Sequence, residues 1–254
     1  MCHGCVIVCV ITAENGCFVE RQPRVIFDKA MSMLTRATRL TRFARTELRY
    51  RKIHSKYSHF TMVPRLSSSA NLRLDAPLKG IPGDIVECGT WRGGMIAGIA
   101  DILGPERCYR LFDSYEGMPP AKEIDGKWAL AWERNTSGPD YHNNCRASEL
   151  EARTAMSISP AKNVVITKGW FRDTLPKAER SPIAILRLDA DWYDSTVCIL
   201  ENFAAAVVPG GMIIVDDYYV FEGCAHAVNE FAVERKWMIR QSRFGGVCYI
   251  VIPA

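Results

Sequence analysis

The chain has 254 residues, 48% of them apolar and 24% charged, which suits a globular protein with one sizeable core and excludes a fibrous or disordered one. Its formal charge of +4 is uneven, because residues 36–56 hold six Arg and two Lys against one Glu, a local +7 that leaves −3 on the remainder. A mildly acidic body with one basic segment argues against a domain built to bind nucleic acid.

At the N-terminus, Cys2, Cys5, Cys9 and Cys17 cluster beside His3. The ligand types suit zinc, but no second ligand pair follows at zinc-ribbon spacing. Residues 6–13 are apolar yet too short to span a membrane, and no positive segment precedes them, so a tail is expected rather than a signal peptide or transmembrane segment. Residues 25–57 carry apolar positions at helical spacing, with Arg36, Arg39, Arg42, Arg45 and Arg49 forming a basic face. Such a face suits a solvated cover or a homo-oligomer contact first, and contact with an acidic substrate, a membrane surface or nucleic acid second. Residues 1–58 are therefore expected to be an N-terminal extension, and residues 59–254 the catalytic-type domain.

From residue 81 strands and helices alternate. Strands are predicted at 84–88, 108–113, 164–168, 183–189 and 212–216, and helices at 95–103, 196–207 and 224–235, which implies an α/β domain with a parallel sheet and right-handed crossovers. Two further strands, 237–241 and 247–252, flank Gly245-Gly246 and predict a C-terminal antiparallel hairpin, giving a mostly parallel seven-stranded sheet. Residues 118–147, rich in Pro and aromatics but without periodicity, read as a lid over a site. Cys88, Cys108, Cys198 and Cys248 lie in apolar segments and read as buried thiols of a reducing, cytoplasmic compartment.

The chemistry concentrates where these strands end. Asp189, Asp191 and Asp194 follow the apolar run 183–188, and Asp216 and Asp217 follow a Pro-Gly-Gly turn and a second apolar run. Carboxylates packed this closely repel one another unless a cation neutralises them, so a hard divalent metal such as Mg2+ is the first expectation. Asp194 is expected to cap the helix that begins near Ser195. On the other side, Glu87, Gly89, Gly93 and Gly94 mark a strand turning sharply into a helix, and Asp113 ends the next strand. The glycine spacing is not that of a dehydrogenase. An acid for an ammonium or sulfonium group, followed by an acid for ribose hydroxyls, fits S-adenosylmethionine.

At this point the chain resembles the macrocin O-methyltransferase (TylF) family, whose members methylate sugar hydroxyls of antibiotics. The resemblance runs over about residues 60–235 and rests on five motifs in order: 83–94 (GDIVECGTWRGG), 112–119 (FDSYEGMP), 168–176 (KGWFRDTLP), 186–196 (LRLDADWYDST) and 209–218 (PGGMIIVDDY). It implies a Rossmann-like class I methyltransferase fold, with Asp189, Asp216 and Asp217 ligating magnesium and Asp191 accepting the proton. It also implies that Glu87, Cys88, Gly89, Thr90 and Trp91, then Asp113, Ser114, Tyr115, Glu116 and Gly117, then Gly169 and Trp170, surround the cofactor. Ser148 is expected near the adenine, and Thr61 and Met62 over the methionine end. Ala190 stands where the family usually has Gly, and Thr90 where Val is common. The lid matches poorly, so the antibiotic-sugar substrate class does not transfer with the motifs.

The expected reaction is in-line attack of an acceptor hydroxyl, from a sugar or vicinal diol of a small molecule or glycan, on the cofactor's methyl carbon. If only Asp189 of the 189–191 segment binds metal, Asp191 on the same extended segment stays free as the base. The alternatives are a non-catalytic S-adenosylmethionine-binding protein and a nucleic-acid methyltransferase. The acidic body disfavours the second.

Overall fold

A computed structural model describes the backbone of residues 24–139 and 141–253, and the side chains from residue 38 onward apart from 39, 140 and 254. The Cys2–Cys17 cluster and the Arg36 and Arg39 side chains lie outside the described residues. Contacts divide the chain into two units, residues 1–46 and 47–254. Helix α1 (Arg24–Tyr57) runs through both. In the first unit its Arg42 and Arg45 are exposed. In the second, Tyr50, Ile53 and Tyr57 are buried in the core. Among the described residues no helix is long and apolar enough to cross a membrane.

The second unit continues with α2 (Arg65–Asp75), β1 (Asp84–Cys88), α3 (Gly94–Leu103), β2 (Cys108–Asp113), α4 (Gly126–Arg134), α5 (Glu149–Ile158), β3 (Asn163–Lys168) and β4 (Ile183–Leu188). It closes with α6 (Tyr193–Phe203), β5 (Val207–Val215), α7 (Glu222–Arg235), β6 (Ile239–Gln241) and β7 (Cys248–Val251). The strands form one sheet in the order β3-β2-β1-β4-β5-β7-β6, parallel except for β7, which runs antiparallel to both β5 and β6. The order reverses between β1 and β4, and that switch point opens a crevice beyond the carboxyl ends of the strands.

Alternate residues of each strand feed two cores. Ile85, Leu111, Ile185 and Ile214 pack on one face with α1, α2, α3 and α5. Val86, Phe112, Leu186 and Ile213 pack on the other with α6 and α7. Burial on both faces explains the near-continuous apolar runs of β1, β4 and the second half of β5.

Four details differ from expectation. The lid contains a regular helix, α4, whose buried side is so narrow that it leaves little periodicity, with Gly126 and Ala129 as its buried residues. Strand β5 begins at Val207 and runs through Pro209-Gly210-Gly211 with an irregular register against β4, where a turn was expected. Helix α6 starts at Tyr193, and Asp194 sits in its first turn, ion-paired with Lys122, rather than capping it. The capping task falls to the lid, because Asp125 Oδ1 accepts the Tyr193 N–H at 2.7 Å. Helices α2 and α5 lay outside the predicted elements.

Gly89 has φ +85, and a Cβ there would run into the Asp189 carbonyl oxygen. The β1 and β4 loops approach this closely only because that side chain is missing. Gly89→Ala is expected to destabilise the fold by about 2–4 kcal/mol, combining overpacking with a left-handed non-glycine residue. A drop in the urea midpoint at unchanged slope would show it.

Candidate active site

The sheet sets the level of the site. Beyond the strand ends, the Gly89 N–H donates to Phe112 O (2.8 Å), Asp189 N–H to Cys88 O (2.9 Å) and Asp216 N–H to Leu188 O (2.9 Å). Each ladder thus extends one residue past its strand. The loops carrying Gly89, Asp113, Asp189 and Asp216 therefore leave the sheet side by side. Trp91, Tyr115 and Asp191, two or three residues beyond β1, β2 and β4, all have positive φ (47, 57 and 56°). Non-glycine residues hold such conformations at a cost of order 1–3 kcal/mol each, and they cluster at functional sites.

On the β1–β2 side, Asp113 accepts the Trp91 N–H on Oδ2 and the Tyr115 N–H on Oδ1, both at 2.7 Å. Its carboxylate thereby organises both turns. Ser114 Oγ donates to Gly117 O and accepts the Glu116 N–H, closing a tight 113–117 turn. Thr90 and Tyr115 hydroxyls lie 3.4 Å apart in the interior, and Cys88 is a buried thiol of the core. Met62, Gly89, Trp91, Asp113, Ser114 and Gly117 line a cleft of about 120 Å3, which Asp189, Asp191 and Trp170 also reach. Trp170 further borders a cavity of about 540 Å3 beneath β2 and β3, to which Gly169 belongs. Thr61 Oγ1 accepts the Val63 N–H, bracing the segment that carries Met62. Gly94 lets this segment pass over α3, since a Cβ there would lie 2.5 Å from Phe60 O.

Ser148 is exposed and forms a capping box at the start of α5, accepting the Glu151 N–H while Glu151 Oε2 accepts the Ser148 N–H. Ser148→Ala is expected to cost about 1 kcal/mol of stability in chemical denaturation through loss of this cap.

On the β4–β5 side, oxygens of Asp189, Asp191 and Asp217 lie within 4.8 Å of one another. Asp216 stands apart from this set. One of its oxygens, Oδ1, is turned to Arg187 Nη2 at 2.7 Å, off the aligned hydrogen-bonding direction. The segment after β4 is also not extended. At φ +56 Asp191 lies in a tight turn, with the Trp192 N–H donating to Ala190 O at 2.6 Å, and this brings Asp191 to the same side as Asp189.

The electrostatics are severe. Enclosure, then repulsion from Asp189 and Asp216, holds Asp191 well above the usual carboxylate range, and enclosure with its three neighbours does the same to Asp217. Burial, only partly offset by Arg187, pushes Glu87 up to about 8. An all-oxygen set with this spacing fits a single hard divalent ion, whose ligand oxygens at 2.0–2.6 Å from the metal cannot lie much more than about 5 Å apart. The same ion would relieve the repulsion that raises these carboxyls.

The sequence profile of the macrocin-O-methyltransferase (TylF) family matches residues 59–241. This chain belongs to that family. Among its relatives, the 8-demethyl-8-(2,3-dimethoxy-alpha-L-rhamnosyl)-tetracenomycin-C 4'-O-methyltransferase of Streptomyces olivaceus is 36% identical over 159 residues, 60% of this chain and 59% of that protein. The demethyldecarbamoylnovobiocin O-methyltransferase of Streptomyces niveus is 34% identical over 175 residues, 66% and 65% respectively. The chain thus spans about six-tenths of the length of these relatives. The solved structure of the O-methyltransferase NovP superposes with a TM-score of 0.61 at 29% identity, covering 77% of this chain and 83% of that one.

The structure gives a place to three groups to which the reading of the TylF family's motifs assigned no role. Trp192, directly after Asp191, packs against Trp132 and Phe221 with ring centroids 5.9 and 4.9 Å away, and its Nε1–H donates to Pro119 O. This aromatic wall ties the lid to the carboxylates. Residues 142–145 all have positive φ, a left-handed turn that sets Cys145 in the cleft wall. Finally Arg187, inside β4, is fully buried beneath the acids. A lone charged residue in an otherwise apolar strand was its visible trace.

Proposed function

We propose that this chain is an S-adenosylmethionine- and magnesium-dependent O-methyltransferase acting on a sugar or vicinal-diol hydroxyl of a small molecule or glycan. The observation that carries the reading is the convergence of Asp189, Asp191 and Asp217 oxygens at the switch point, in one cleft with Gly89 and Asp113. The relatives support it, being named O-methyltransferases, one of them of a rhamnosyl-bearing compound.

In this reading Glu87 and the Gly89–Trp91 turn hold the amino-acid end of the cofactor, Asp113 its ribose, and Met62 with Trp170 its flanks. Asp189, Asp216 and Asp217 would hold the magnesium ion. When bound, the cofactor supplies an electrophilic methyl group, and magnesium lowers the pKa of a hydroxyl placed on it. Asp191, beside the metal-holding carboxylates in the same cleft, takes the acceptor's proton. The Trp192–Trp132–Phe221 cluster, packed edge to face, braces the lid behind Asp191. The 120 Å3 cleft is below the 300–1,000 Å3 usual for ligand pockets, so admission of a nucleoside cofactor requires the lid segment to shift.

The test is formation of S-adenosylhomocysteine and an O-methylated product from a panel of rhamnosides, other glycosides and catechol-type diols, with and without EDTA. A chain that binds S-adenosylmethionine tightly yet methylates no hydroxyl across the panel would be a binding protein, and the proposal would fall.

A further inference from the structure

Arg187 has the largest fully buried side chain in the described structure. A guanidinium taken out of water is tolerated only where its charge is met, and here residues from four separate elements surround it, with Nε and Nη1 hydrogen-bonded and Nη2 held by an ion pair alone. Nη1 donates to Glu87 Oε1 at 2.6 Å and to Asp189 Oδ2 at 2.8 Å. Nη2 lies 2.7 Å from Asp216 Oδ1, and Nε donates to Asn71 Oδ1 at 3.3 Å. Asn71 is fixed in turn, its Nδ2–H donating to Ser67 O at 2.9 Å within α2. The sheet register explains the first pairing, because Glu87 and Arg187 are direct neighbours on β1 and β4. Asp189 and Asp216 follow at the next level, one past each strand end.

We infer that Arg187 is a positioning residue that joins the two halves of the site, holding Glu87 of the cofactor side and Asp189 and Asp216 of the metal side on one planar fork, with Asn71 fixing the fork's rotation. The inference rests on the proposed reading of the two halves. A single rigid cation touching all three acids makes their orientations interdependent. It claims one oxygen each of Asp189 and Asp216, and Asp189 still reaches the cleft. Lysine carries the charge but not the fork, so it cannot hold three carboxylates in fixed directions.

The experiment compares the wild-type chain with Arg187→Lys and Asn71→Ala, each stripped with EDTA. It measures Mn2+ affinity and S-adenosylhomocysteine affinity by titration calorimetry, the circular dichroism spectrum, and kcat and KM separately. Groups that orient metal ligands are typically worth 10–100-fold in affinity or activity. Arg187→Lys is therefore expected to keep the native spectrum while binding both Mn2+ and S-adenosylhomocysteine at least about tenfold more weakly. Its kcat should fall more than its KM for the acceptor rises. Asn71→Ala, which frees only the rotation of the fork, is expected to weaken both ligands by a smaller factor of about three, below the range for direct partners.

A folded Arg187→Lys chain with wild-type affinity for both ligands overturns the inference, as does a defect confined to one of them. If Arg187→Lys does not fold, Asn71→Ala decides, and unchanged affinities there overturn it. A wild-type chain that binds neither Mn2+ nor S-adenosylhomocysteine refutes the reading of the site itself, an outcome distinct from the others.

Discussion

Asp191→Asn is expected to lower turnover by about 10²–10⁴-fold, the usual contribution of a positioned general base, while Mn2+ and S-adenosylhomocysteine still bind. Asparagine is the apt replacement because Asp191 has φ +56, and Asn tolerates the left-handed region as Asp does. The variant also removes one charge from a repelling set, so the fold is expected to survive. Single-turnover rates with calorimetric titration of Mn2+ separate base from ligand. The distinction matters, because Asp191 shares its converging oxygens with Asp189 and Asp217, whereas Asp216 has turned to Arg187. If Mn2+ affinity collapses together with turnover, Asp191 ligates the ion and Asp216 serves only Arg187. Near-normal turnover would remove Asp191 from the chemistry altogether.

Treatment with EDTA is expected to abolish turnover, and Mg2+ to restore it in the wild type but not in Asp217→Asn. Asp217 is buried and sits among Asp189, Asp191 and Asp216, so without a cation it is a source of repulsion, not of stability. Two effects of opposite sign follow. The EDTA-treated variant should melt no lower than the EDTA-treated wild type, because a carboxyl disfavoured by enclosure and by its acidic neighbours has gone. With Mg2+ at a hundred times its dissociation constant, only the wild type should gain, by about 2.7 kcal/mol. Thermal melts of both chains with and without the metal check both statements. A wild type that melts and turns over identically in EDTA would show that the acids hold no functional metal.

The alternation of strands and helices was legible because the strands are buried on both faces, so their apolar runs stand out from the helices between them. β1 and β2 were read residue for residue, and the strands flanking Gly245-Gly246 to within two residues at each end. The lid was not, because α4 buries only Gly126 and Ala129, and the contacts that hold it, Asp125 to the Tyr193 N–H and Trp132 to Trp192, are made with distant parts of the chain. Asp194 misled for a related reason. It has the residue type of a cap, but Asp125, far away in sequence, fills that role.

Among the site residues, the acids announced themselves by type and by their place after apolar runs, and the glycine-rich turn by its spacing. Their division of labour did not. Whether a carboxylate faces a metal, a guanidinium or a backbone N–H depends on side-chain directions, and these are set by the positive φ at Asp191, by the ladders that stop one residue beyond each strand, and by Arg187.

The order of polar and apolar residues along the chain was thus sufficient for the α/β architecture, the family and the neighbourhood of the chemistry, since burial periodicity and short motifs are local properties. Only the tertiary structure decided which acids converge, that Asp216 is shared with a buried arginine, and that Asn71 on α2 reaches beneath the site, because each is a contact between elements brought together by the sheet.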